Sequence, residues 1–305
     1  MTLKKKDSLN QKRLYGLNKY FLDLTKLVTA GKLPKVLMFT GKKGQGKFTL
    51  THHLMSYFFD KFNYDLSLNV IKNNNKIFDG IKDNINTNIM YFDCANKGIK
   101  IDQIRKLRTH LQKTSIDNKY RFIIFDDVEF LNESCVNALL KTIEEPKDAD
   151  HFILINNQSN SIIDTLKSRS LEIIFFLNKT EKIEIIEKLL SDFNIKKMID
   201  PISTTLAPGE YVKFNSIILE DKIDLKDELI KNIKKLLKIN KIKKNIDYLN
   251  FAIYLINQYY FYKSKHKSYT VDYNDKRTNI IRKIYDTNKL NLNHTNLITE
   301  LENYI

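Results

Sequence analysis

Apolar residues recur at helical spacing near the start of the chain, at Leu14, Leu17, Phe21, Leu24, Leu27 and Val28, and the run stops near Gly31 and Pro34. The pattern predicts a helix over 1–30. A short apolar run at 35–40 (KVLMFT) reads as a strand, a glycine-rich stretch follows, and THHLMSYFFDKF has helical periodicity. Residues 62–88 are rich in Asn, Lys and Asp and carry little pattern, which predicts an irregular or loosely helical insertion. Beyond it the alternation resumes. Strands are expected at 90–94, 121–127 and 151–157, with helices at 101–112 (apolar face Ile101, Ile104, Leu107, Leu111) and at 132–145, stopped by Pro146. Strands alternating with helices indicate an α/β fold with a parallel sheet covered on both faces.

After a last apolar run at 171–176 the texture becomes helical. Two or three helices are expected over 179–218, broken at Pro201 and at Pro208–Gly209, and nearly everything from 222 onward reads as helix. The apolar and aromatic segment 246–262 is interrupted by Asp247, Asn250, Asn257 and Gln258, so it suits a bundle core and not a membrane span. The expected domains are 1–176, 177–219 and 220–305.

Composition narrows the picture. A length of 305 residues suits two or three domains of roughly 100–200 residues each, and 42% hydrophobic content excludes disorder throughout. Two cysteines, Cys94 and Cys135, cannot build a disulfide framework or a four-cysteine zinc site. With no apolar run of about 18 residues and no signal-like N-terminus, a cytoplasmic location and no membrane partner are expected. The net charge of +15 invites a nucleic-acid reading, yet only seven of 51 basic residues are arginine. A chain so rich in Lys, Asn and Ile also fits simple composition bias on solvated faces.

The chain has eight glycines, and three of them (Gly41, Gly44, Gly46) fall just before Lys47 between an expected strand and helix. Such a run lets consecutive N–H groups converge on phosphate oxygens while the lysine reaches the β and γ phosphates. A tight turn holding no ligand is the alternative. The position after the lysine should carry a hydroxyl for Mg²⁺, and Phe48 stands there. Thr49 follows, but one step along a helix turns the side chain by about 100 degrees. ATP binding is therefore expected to be weakened or magnesium-poor, the magnesium itself left open, and hydrolysis weak or absent. The strand FIIFDD ends in Asp126 and Asp127, the place where an acid pair grips a metal and orients water, or simply solvates a sheet edge.

These motifs come with others in a fixed order. NALLKTIEEP at 137–146 resembles the signature helix of bacterial DNA polymerase III clamp-loader subunits, proteins of the AAA+ type. IDQIRKLRTHLQ at 101–112, GKLPKVLMFTG at 31–41 and TLKSRS at 165–170 resemble further segments of that family, with Lys35 where histidine is common and Ser170 in place of a cysteine. The resemblance covers about residues 10–176. It implies an AAA+ P-loop domain, a helical lid and a helical collar for hetero-oligomerisation. Phe48, the absent zinc cysteines and the length resemble the delta-prime stator more than the ATPase motor of the gamma/tau type, which stays as the alternative together with an unrelated P-loop NTPase.

The same resemblance implies that Arg169 reaches in trans into a neighbour's ATP site, where an arginine is worth about 10³–10⁵ in rate. Pairing with an acid at a strand entrance is its plainer role. Asn156 and Asn157 match the region that senses the γ-phosphate, and which of the two faces the site is open at this point. The expected second sensor arginine is not evident, Lys213 being a weak stand-in. Implied partners are the motor and clamp-opening subunits and primed DNA, with Lys141 and Lys147 as candidate phosphate contacts. The six histidines show no metal-ligand spacing.

Overall fold

The computed structural model describes residues 11–78, 81, 88–95, 98–112, 120–266, 271–289, 297–299 and 301–302. It divides into two compact units, Met1–Asn194 with Ile199–Val212, and Ile195–Met198 with Lys213–Ile305.

In the first unit, helix α1 (Asn18–Thr29) leads to β1 (Val36–Thr40) and α2 (Lys47–Phe59). A small antiparallel ribbon, β2 (Tyr64–Asp65) and β3 (Val70–Ile71), comes next. Then follow β4 (Ile89–Asp93), α3 (Ile101–Gln112), β5 (Arg121–Asp126), α4 (Glu133–Ile143), β6 (Asp150–Asn156), the short α5 (Asp164–Lys167) and β7 (Leu171–Ile174). Helix α6 (Lys179–Asp192) begins in a capping box, with Asn178 and Glu181 satisfying each other's backbone N–H groups.

Five strands form one wholly parallel sheet in the order β4-β5-β6-β1-β7. Successive side chains on a strand point to opposite faces, so each strand feeds two cores. Leu37, Phe39, Phe122, Ile124, Ile153 and Ile155 pack with α1 and α2. Val36, Met38, Ile123, Phe125, Phe152 and Leu154 pack with α3 and α4. Each such fully buried side chain is worth about 1.5–3 kcal/mol. This doubly covered parallel sheet bears out the expected α/β class.

Register then places the chemistry. Thr40 lies opposite Asn156, and Asp93 opposite Asp126. The carboxyl ends of β1, β5 and β6 therefore share one edge, where ligands bind in open α/β sheets.

One expectation is corrected. Residues 1–10 of the expected first helix lie outside the described residues; over the described part the helix starts only at Asn18, because the backbone just before it pairs with the ribbon. Leu14 N–H donates to Asn69 O, Ile71 N–H donates to Lys12 O, and Arg13 bridges Val70. Leu14 and Leu17 are buried all the same. The insertion after α2 is irregular as expected over most of its described length, apart from a 3-10 turn at Lys61–Asn63 and the two-residue strands of the ribbon; residues 79–80 and 82–87 lie outside the described residues. Its organiser is Asn75, buried, whose amide donates to the carbonyls of Ser56, Asp60 and Asn63 at 3.1, 3.4 and 3.3 Å. His52 and His53 are buried structural residues: His53 contacts the Tyr64 hydroxyl at 2.8 Å and the Gln11 carbonyl at 3.0 Å, and burial pushes its pKa down to about 3.

Helix α7 (Pro208–Glu220) starts at Pro208, where a missing N–H is harmless. The second unit contains α8 (Leu229–Lys243), α9 (Ile246–His266) and α10 (Val271–Lys289). Tyr248, Leu249, Phe251, Ala252 and Ile256 of α9 are buried, and Phe251 stacks on Phe214 with centroids 4.8 Å apart. This is the bundle core expected for 246–262. Among the described residues no helix is long and apolar enough to cross a membrane.

Candidate functional site

The loop between β1 and α2 holds Gly41, Gly44, Gly46 and Lys47. Gly44 and Gly46 have φ of +83° and +91°, which L side chains rarely adopt. Gly44 also lies against the start of α7: a Cβ there would stand 2.9 Å from Glu210 N, and Gly209 N–H donates to Gly44 O at 2.9 Å. Lys47 is buried beneath the loop and its ammonium donates to the carbonyls of Gly41 at 2.5 Å and Lys42 at 2.9 Å. Burial brings its pKa down to about 8 despite the acids nearby.

Phe48 is 8% exposed. Its ring meets Tyr91 edge to face at 5.3 Å and His52 at 6.3 Å, so the residue after the lysine belongs to the core. Thr49 is buried on the same first turn of α2.

At the end of β5, Asp126 accepts a hydrogen bond from the Tyr91 hydroxyl at 3.2 Å and from the Asp127 N–H at 3.0 Å. Burial, then the neighbouring Asp127 charge, raises the Asp126 carboxyl to about pKa 7. Asp127 sits in the left-handed region at φ 56° and opens a single 3-10 turn, Val128–Phe130. Its carboxylate is nearly buried and receives the Lys43 ammonium at 3.2 and 3.0 Å on its two oxygens. Burial opposes the charge on Lys43, but Asp127, with Asp126 and Glu129 behind it, outweighs that and raises the lysine's pKa.

Asn157 faces the acids. Its amide donates to Asp127 at 2.7 Å and to Asp126 at 3.5 Å, whereas Asn156 accepts from Gln158 N–H. The turn carrying Asn157 is held by Glu129, which accepts from the backbone N–H groups of Asn157 and Ser159. Structure thus brings together Gly41, Gly44, Gly46, Lys47, Asp126, Asp127 and Asn157.

Arg169 lies elsewhere, between α5 and β7. Its Nε donates to Glu144 at 2.6 Å and its Nη1 to Thr165 O at 3.2 Å. Ser170, standing in the motif's cysteine position, donates to the carbonyls of Leu166 and Lys167 and so caps α5. Lys213 is engaged in the second unit with Asp247 at 3.2 Å. Lys141 is exposed on α4, and the Lys147 ammonium donates to Gln112 O. Cys94 and Cys135 are buried and unpaired by disulfide.

Motif spacing does not single out Lys43, Tyr91, Glu129 or Glu144. Lys43 nevertheless lies within the glycine cluster Gly41–Lys47, Glu144 lies within the 137–146 segment, and Glu129 stands two residues past the acid pair. Tyr91 has no sequence signal beyond its place on an apolar strand.

A gamma subunit of DNA polymerase III from Buchnera aphidicola (subspecies Schizaphis graminum) is 26% identical over 142 residues, 46% of this chain and 38% of that protein. A delta' subunit from Pseudomonas aeruginosa is 32% identical over 78 residues, 26% of this chain and 24% of that protein. The matches thus span well under half of these relatives. Among solved structures, a DNA polymerase III gamma subunit-related protein from Thermotoga maritima is similar at a TM-score of 0.47 and 16% identity, covering 92% of this chain and 96% of that one. The family model described as DNA polymerase III, delta subunit, matches residues 16–179, more than half of the 305, and takes in the phosphate loop, both acids, Asn157 and Arg169. The chain is accordingly a member of the DNA polymerase III delta subunit family, with the parallel P-loop sheet of the AAA+ type.

Proposed function

We propose that this chain is a delta-prime-like stator of the DNA polymerase III clamp loader. It holds its place in an ATP-driven hetero-oligomer that loads the sliding clamp on primed DNA, and it lends Arg169 to a neighbouring motor subunit. Lid residues 177–219 and collar residues 220–305 serve ring assembly beside the motor and clamp-opening subunits.

The observation that carries this reading is the burial of Phe48 against Tyr91 and His52. A hydrolytic phosphate loop needs a hydroxyl there to hold Mg²⁺. The chain's own ATP binding is weak and its own hydrolysis is absent.

A second reading, an ATPase motor of the gamma/tau type, is favoured by the longer gamma match and by Lys47 and Asp126 standing in their motif places. ATP turnover by the purified chain, alone and in the reconstituted loader, separates the two. The stator reading expects none alone, and turnover in the loader that falls when Arg169→Ala is introduced. Brisk turnover by the isolated chain sinks it.

A further inference from the structure

A P-loop fold implies a divalent cation between the loop and the acids that end the third strand of the sheet. The residues present do not fit one. The hydroxyl ligand is replaced by a ring that is part of the core. Asp126 is engaged by the Tyr91 hydroxyl, and both oxygens of Asp127 lie within 3.2 Å of Lys43. Among the described residues no group of three or more His, Cys, Asp or Glu is arranged to hold a metal.

We propose that the Lys43 ammonium is the permanent cation of this site, tying the phosphate loop to Asp127 in the place a divalent metal takes in a hydrolytic P-loop protein. The bridge is built from several directions. Lys43 sits between Gly41 and Gly44 in the loop that β1 delivers, while Asp127 is turned toward it by its left-handed backbone. Asn157, just past the end of the intervening strand β6, donates to Oδ1 of the same carboxylate at 2.7 Å, an oxygen that Lys43 also reaches at 3.2 Å. A compact ammonium suits the task because it offers three donors on a flexible stem.

Two consequences follow. The site does not gather free Mg²⁺ or Mn²⁺, since the charge that attracts them is already neutralised. Any polyphosphate that the loop accepts meets two lysines, Lys43 and Lys47, in place of one lysine and a metal. This inference rests on the geometry alone and stands apart from the stator reading, since it is read on the isolated chain without ATP or partners.

The test uses Mn²⁺ alone as probe on the full chain, followed by electron paramagnetic resonance and by paramagnetic broadening of the Asn157 side-chain amide in NMR. Wild type is expected to show no selective broadening at that amide. Lys43→Met and Lys43→Gln are expected to bind Mn²⁺ at least about tenfold more tightly, with selective broadening of Asn157. Lys43→Arg keeps the wild-type behaviour, and adding Asp127→Asn to Lys43→Met abolishes the gain. Selective broadening of Asn157 in wild type at low Mn²⁺ overturns the proposal even if the substituted chains do not fold. So does equal Mn²⁺ binding by wild type and folded Lys43→Met, whether tight or negligible.

Discussion

Arg169 and Glu144 form an ion pair at 2.6 Å that is open to solvent on both sides, the side chains being 41% and 44% exposed. The arginine proposed to act in trans is thus held within its own chain by Glu144, the first glutamate of the signature EEP. Solvent screening makes such a pair weak, so the exchange for a neighbour's phosphate that the stator reading proposes would cost little.

Glu144→Gln should therefore change unfolding free energy by less than about 1 kcal/mol and leave the reconstituted loader's ATP turnover at least as high as wild type. Arg169→Ala should be as stable yet lower that turnover, because a trans arginine is worth about 10³–10⁵ at the site it serves. Urea denaturation and steady-state turnover read the two effects separately. Equal turnover for Arg169→Ala and wild type removes the arginine from the mechanism.

Asp126 sets a pH dependence. Its carboxyl titrates near 7 in the folded chain because it is buried beside Asp127, against about 3.9 unfolded. Between those values the folded chain keeps a proton that the unfolded chain releases. This group's contribution to stability is therefore full below about pH 4 and declines until about pH 7. Asp126→Asn should remove that decline and be more stable than wild type at pH 8, by on the order of 4 kcal/mol. Thermal unfolding across pH 4–8 checks it; parallel curves for the two proteins contradict the assignment.

Phe48→Thr should be destabilising and should not create a magnesium site. Removing a buried ring costs about 3–5 kcal/mol, and the Lys43–Asp127 pair remains at 3.0 Å. Calorimetric titration with Mg²⁺-ATP should match wild type. A clear magnesium-dependent gain would show that the ring alone closes the site.

Asp150→Asn should be among the most damaging single changes far from the site. Arg121 and Asp150 meet at 2.6 Å with side chains only 4% and 2% exposed, and Arg121 also donates to Leu111 O. Breaking such a pair leaves an uncompensated buried charge and costs about 3–5 kcal/mol. A loss below about 1 kcal/mol in urea denaturation would show that water reaches the arginine.

Sequence by itself determined the alternation of strands and helices, since apolar periodicity reports which face of an element is buried. It also determined the glycine cluster before Lys47, the acids ending β5 and the ring at Phe48, because each is a local departure from an otherwise simple pattern. The start of α1 was not legible: residues 11–17 have helical spacing, but the ribbon offers their backbone β-type partners from far along the chain. The choice between Asn156 and Asn157 likewise waited for the fold, because one residue at a strand end decides which side of the sheet edge an amide faces. Only tertiary structure decided that Lys43 pairs with Asp127 and Arg169 with Glu144. Eighty-four and twenty-five residues separate those partners, and a charge has no periodicity by which its partner can be read.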